Sequence, residues 1–140
     1  MMLFRSVLCV VMLAMACSSS RSNKNQPRFS NLITLNPPGK QKTVASKIYV
    51  DSVKFIDYKK EKALLISGNM ANGCTYISEA SHTSTDETLQ LSLKAWKPAD
   101  KICSQALVPF SFIYDKLSQQ ELDGYNAVVM NQKSFKIEHE

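Results

Sequence analysis

Chemistry-bearing motifs are what this 140-residue sequence has least of. Its four cysteines, Cys9, Cys17, Cys74 and Cys103, fall at no C-x-x-C spacing, which removes the usual zinc and thioredoxin patterns. There is no G-x-S-x-G elbow of a serine hydrolase and no D-x-D-x-D-G calcium loop. No apolar run reaches the roughly 20 residues that span a bilayer. Beyond the N-terminus no segment repeats with the 3.6-residue period of an amphipathic helix, so helices do not organise the chain. The charge is also unevenly supplied. Residues 17–70 hold ten Lys/Arg against three Asp/Glu, whereas residues 71–140 hold six against nine. Seven lysines lie between Lys40 and Lys62, but no aromatic series is interleaved with them. Nucleic-acid binding is therefore not expected, and solvated strand faces, or a basic surface near anionic lipid, are.

What is present begins with an address. One cation, Arg5, precedes an apolar run over residues 7–16, the proportions of a signal peptide. Leu13-Ala14-Met15-Ala16-Cys17 then resembles the bacterial lipobox, in which the cysteine is acylated and opens the mature chain. Ala14-Met15-Ala16 also fits an ordinary A-x-A cleavage site, leaving secretion without lipid as the alternative. A polar run from Ser18 to about Gln26 suits a flexible tether. Cleavage would remove Cys9 and lipid would consume Cys17, so Cys74 and Cys103 remain as one pair. The expected organisation is a signal peptide at 1–16, a tether at 17–28 and a single domain at 29–140. With Cys17 acylated, similarity to the sorting habits of bacterial lipoproteins implies outer-membrane retention facing the periplasm, because Ser18 rather than Asp follows the cysteine.

The rest reads as strands. Residues 29–35 are a short candidate, ended by Asn36-Pro37-Pro38-Gly39. Residues 47–57 are stronger, and a bulge at Asp51-Ser52 would bring Ile48, Val50, Val53 and Phe55 to one face. Residues 58–61 are a charged turn into an apolar strand at 62–68. Residues 74–80 form another strand and 81–87 a polar loop. Residues 88–96 alternate, with Leu89, Leu91, Leu93 and Ala95 on one side and Gln90, Ser92 and Lys94 on the other. Phe110, Phe112 and Tyr114 share a face of the strand at 106–114. A polar connection at 118–124, with room for a helical turn, leads to a last hairpin across residues 131–133. Seven or eight short strands indicate an all-β chain, an antiparallel β-sandwich.

Gly73-Cys74, Cys103, Val108-Pro109-Phe110, Gly124 and Val128-x-Met130-Asn131 resemble small exported bacterial proteins with an immunoglobulin-like β-sandwich. The shared pattern is a cysteine pair, an aromatic strand and a closing G-x-Y-x-V-x-V-N-G hairpin, over about residues 64–138. Tyr125 stands one place early, and Gln132 replaces the final glycine. The resemblance implies a fold and no particular activity.

Candidate sites are few. Cys74 and Cys103 are a metal pair, reactive thiols or a disulfide; an oxidising compartment and the lack of histidine at ligand spacing favour the disulfide. Ser81, His82, Ser84 and Asp86 hold the letters of a triad but share one turn, so no catalytic residue is expected. Asp115, Glu121 and Asp123 are an oxygen-rich cluster of the kind that binds calcium, but without an EF-hand-like loop neither metal nor cofactor is expected. Trp96 falls on the polar side of its strand. It is either a plug under a loop or a contact for a partner, and is the candidate partner contact. The function expected is a non-catalytic, membrane-anchored envelope lipoprotein that binds or supports another envelope protein. The alternative is a secreted or tethered inhibitor of an enzyme such as a protease, with residues 81–87 or 97–102 inserted into its cleft.

Overall fold

The computed structural model describes residues 29–139. The expected signal peptide, Cys17 and the tether at 17–28 lie outside the described residues. Eight strands and one short helix follow in order: β1 (Thr43–Ala45), β2 (Ile48–Tyr58), β3 (Glu61–Met70), β4 (Tyr76–Ser84), β5 (Leu89–Pro98), β6 (Val108–Tyr114), α1 (Gln119–Gly124), β7 (Ala127–Met130) and β8 (Lys133–His139).

Two of the connections are tight hairpin turns made without glycine. Lys59 and Lys60 join β2 to β3 with φ of 50° and 68°, and Asn131 and Gln132 join β7 to β8 with φ of 51° and 63°. Positive φ at both central residues gives the twist that suits flanking strands. In β2 the register shifts between Val50 and Ser52, so Asp51 is the extra residue of a bulge. That places Ile48 and Val53 in the core, with Val50 and Phe55 packed against it, as the sequence pattern required. Gly68 faces the bulge, and a Cβ there would stand 1.9 Å from the carbonyl oxygen of Tyr49. No other residue fits so close a backbone approach.

The strands form a β-sandwich from one curled sheet. One layer has the order β6-β3-β2-β8, and the other joins β4, β5, β7 and β8, with β1 on the end of β5. Strand β8 belongs to both layers: its first residues pair with β7 and its last three, from Ile137, pair with β2. Pairing is mainly antiparallel, but β8 runs parallel to β2, and β7 parallel to β5, because the last hairpin wedges between the layers. Phe110, Leu64, Ile66, Ile77 and Val128 are fully buried between them. Each such side chain contributes about 1.5–3 kcal/mol by leaving water. A smaller cluster of Ile56, Ala63 and Leu65, with Phe29 packed on it, lies on the outer side of β2 and β3.

Several stretches differ from the sequence expectation, among them β1, a strand where none was expected. Residues 29–35 are not a strand; only Leu32 bridges, to Ser111. Residues 81–84 are not loop but the end of β4, and the turn is shortened to 85–88. Polar letters there do not break the strand, because alternate residues face water and the inward ones find partners.

The layers meet along two seams. Between the edge strands β4 and β6 a strap closes the seam. Ile33 N donates to Ser111 O (2.9 Å), Ser111 N to Asn31 O (2.9 Å) and Asn36 N to Ile77 O (2.8 Å). Between β5 and β2 the chain passes from layer to layer at Ser46-Lys47 and again at β8, and a gap is left between these two crossings.

Candidate functional site

The chemistry-bearing side chains collect at three points along the closed seam. At one end the β3–β4 and β5–β6 connections, which both cross between layers, are joined by a disulfide. Cys74 and Cys103 are bonded with their Cα atoms 5.5 Å apart. Around it, buried Asn72 accepts from Cys74 N and from the Thr75 hydroxyl, each at 3.0 Å, and Gly73 N donates to Ser104 O at 3.1 Å. Closing about 30 residues stabilises the fold by on the order of 3.5 kcal/mol in the chain-entropy account. The clasped loop carries Ile102, 99% exposed, and Leu107, 58% exposed.

In the middle stands Trp96, for which the sequence left two readings, a plug under a loop and a partner contact. Alternation along β5 holds through Ala95, so the indole does lie on the outer side of the sheet. Yet it is buried, 5% exposed. Its Nε1–H donates to Asn36 O at 2.7 Å, and its ring stacks on Tyr76 with centroids 5.0 Å apart. The strap, which the sequence reading treated as strand and turn, covers it. Of the two readings the plug describes it: Trp96 is buried under the strap as its anchor, and is not an exposed contact.

At the other end α1 begins with a capping box. Ser118 accepts from Glu121 N, and Glu121 accepts from Ser118 N at 2.8 Å. The Glu121 carboxylate also accepts from the Ser84 hydroxyl (2.8 Å) and from His82 Nε2 (3.2 Å). The Ser118 backbone bond, then the Ser84 bond, hold its pKa down to about 2. An ionised carboxylate can only accept, so His82 Nε2 carries a proton. In the neutral ring Nδ1 is then left to accept from the Tyr114 hydroxyl at 2.5 Å. Burial, with Glu121 and Asp115 nearby, pushes the Tyr114 pKa up, which keeps that donor protonated. Beside this network the Tyr125 hydroxyl donates to Thr85 O.

This arrangement ties β4, β6 and α1 together and assembles no triad. Ser84 donates to Glu121, both nitrogens of His82 are engaged, Ser81 faces the opposite side of β4, and Asp86 lies in the exposed turn. In sequence His82 lies in a polar turn, Tyr114 in an aromatic core strand and Glu121 beside Asp115 and Asp123, so the contacts that join them are not expected from it. The Ser118-x-x-Glu121 capping signature was the available signal for the helix end. Nothing in the sequence pointed to His82, which is 39 residues from Glu121. Among the described residues no group of three or more His, Cys, Asp or Glu could hold a metal ion. Nor is any helix among them long and apolar enough to cross a membrane.

No curated protein and no solved structure matches the chain. Residues 64–138, from β3 through β8, match the ORF11 beta-sandwich domain. The match includes the disulfide, strands of both layers (though not β1 or β2) and all of the polar network, and the chain belongs to the ORF11 beta-sandwich domain family.

Proposed function

We propose that the protein is a non-catalytic binding or structural module of the bacterial cell envelope, exported and anchored by lipid on Cys17. The observation that carries this reading is the Cys74–Cys103 disulfide. A disulfide persists in an oxidising compartment, which fits export. It also pairs the two cysteines of the domain with each other, so that removal of Cys9 with a signal peptide leaves Cys17 with no thiol partner and free for acylation. The polar side chains that might have supported catalysis are engaged in holding strands together, which favours binding over turnover. Outer-membrane attachment facing the periplasm completes the proposal, and two acyl chains or more would make the anchor stable. Mass spectrometry of the mature N-terminus tests it. The expected species begins at Cys17 and carries acyl groups; an unmodified Cys17 would refute the anchor.

One observation favours a second reading, inhibition of an enzyme. Ile102 projects fully exposed from a loop that the disulfide holds on one side, the form of a segment inserted into a cleft. A panel of proteases assayed with and without the protein decides it, and activity unchanged across the panel removes the idea.

A further inference from the structure

The gap on the second seam has an edge on each side. On β5, Ala95 O accepts from Ser46 N, whereas Lys94 O faces β4, where it accepts from Ser78 Oγ. Peptide groups alternate along a strand, so both groups of Leu93 and the carbonyl of Leu91 point into the gap. Strand β7 pairs with β5 only at Leu89 and Gln90, and β1 only from Trp96 onward. Among the described residues no strand pairs with Leu93 on that side. On β2, Lys47 O accepts from Ala71 N and so faces β3. By the same alternation the peptide groups of Ile48 and Val50 point into the gap, and β8 does not reach β2 until Val53. Among the described residues, two strand edges without a pairing strand therefore face each other.

The space between them tapers. At one end β7 and β8 fill it, making three strand spacings, or about 14 Å. At the other end β1 leaves β5 and becomes β2 within two residues. In between it passes through about two spacings, the width that takes one further strand bonded to both sides. A cavity of about 470 Å³ occupies this place, lined among others by Leu93, Val50, Met130, Phe135, Lys47 and Lys133. Its floor is the apolar core. Its charged lining is Lys47 and Lys133 against Asp51, and Asp51 already accepts from Asn69 Nδ2 at 3.1 Å.

We propose that this cleft binds a short extended peptide of a partner protein, which adds a strand between β5 and β2. Backbone donors and acceptors on two facing edges are matched by an extended peptide, whose own groups alternate to both sides at the same repeat. Its inward side chains meet Leu93, Val50 and Met130 and are apolar. Its outward side chains lie near Lys47 and Lys133 and are acidic. The crossing at Ser46-Lys47 and the hairpin tip at Asn131-Gln132 block the two ends, which limits the inserted segment to a few residues. The proposal rests on the binding-module reading and names the class of partner.

Amide hydrogen exchange on the purified full chain tests it, with acetyl-Glu-Val-Glu-Val-Glu-amide as the probe. Saturating peptide should slow exchange at Ile48, Val50 and Leu93 by about tenfold or more, as pairing that shields an amide does. The same peptide N-methylated at alternate residues should leave those amides unchanged, and the lysine counterpart Lys-Val-Lys-Val-Lys should bind more weakly. Three results would overturn the proposal: no slowing at millimolar peptide, equal slowing by the N-methylated form, or amides already slow in the free protein. The last would mean that the chain itself, or a second copy, fills the cleft. If the peptide fails while Cys17 is found acylated, only this proposal falls. If the three amides are protected but Cys17 is unmodified, the lipid anchor falls and the cleft stands.

Discussion

The two seams of this sandwich use the same material to opposite ends. The seam between β4 and β6 is tied three times: by the disulfide at one end, by the strap over Trp96 in the middle, and by Glu121, His82, Ser84 and Tyr114 at the other. The seam between β5 and β2 has continuous chain crossing it at Ser46-Lys47 and at β8, yet leaves peptide groups facing a gap. Unpaired edges are a liability that folds ordinarily cover. Covering one seam so heavily while leaving the other open points to the open one as the place where something else is meant to pair. The comparison also separates kinds of residue. The closed seam adds side chains and a disulfide to the backbone bonds of its strap, whereas the open one offers mainly backbone.

Three changes break the closed seam, in decreasing order of effect. Trp96→Ala should cost the most, about 3–5 kcal/mol, since a buried indole is lost along with its bond to the strap. Thermal unfolding should show a fall in Tm on the order of 15 °C. If stability held and capture of a partner were lost instead, Trp96 would be a surface contact after all. Replacing both Cys74 and Cys103 by alanine should cost on the order of 3.5 kcal/mol, read as a lower urea midpoint. A loss below about 1 kcal/mol would mean that the strap and the polar network hold the seam without the clasp.

The smallest effect is a pH dependence. Glu121 has its folded pKa lowered from 4.5 to about 2, so its charged form favours folding. That contribution is complete above about pH 4.5 and is lost as pH falls through 4.5 toward 2. Wild type should therefore lose stability as pH falls below about 4.5 more steeply than Glu121→Gln, with the gap between them wide at pH 7 and closing only as pH falls through about 2. Parallel slopes in thermal melts would show that the carboxylate is not the hub of the network.

The sequence made some of this plain for local reasons. The slip in apolar phase between Val50 and Val53 required a bulge, since only an extra residue returns both to one face, and the bulge is at Asp51. The alternation of residues 88–96 required a half-buried strand. The cysteine arithmetic isolated Cys74 and Cys103, and they are bonded. The helical turn expected in the connection at 118–124 is α1.

What was not legible depends on contacts between distant segments. Trp96 is outward by alternation and buried all the same, because a strap 60 residues earlier in the chain crosses above it. His82 read as solvated because its neighbours in sequence are polar. Tyr114 and Glu121, 32 and 39 residues away, decide its environment. The open edges of β5 and β2 leave no trace in composition at all, since every residue carries the same peptide groups. Period and bulge follow from the order of side chains along one strand, so the sequence alone determined them. Whether an indole, an imidazole or a peptide group meets protein or water depends on which strand the fold sets beside it, and only the tertiary structure decided that.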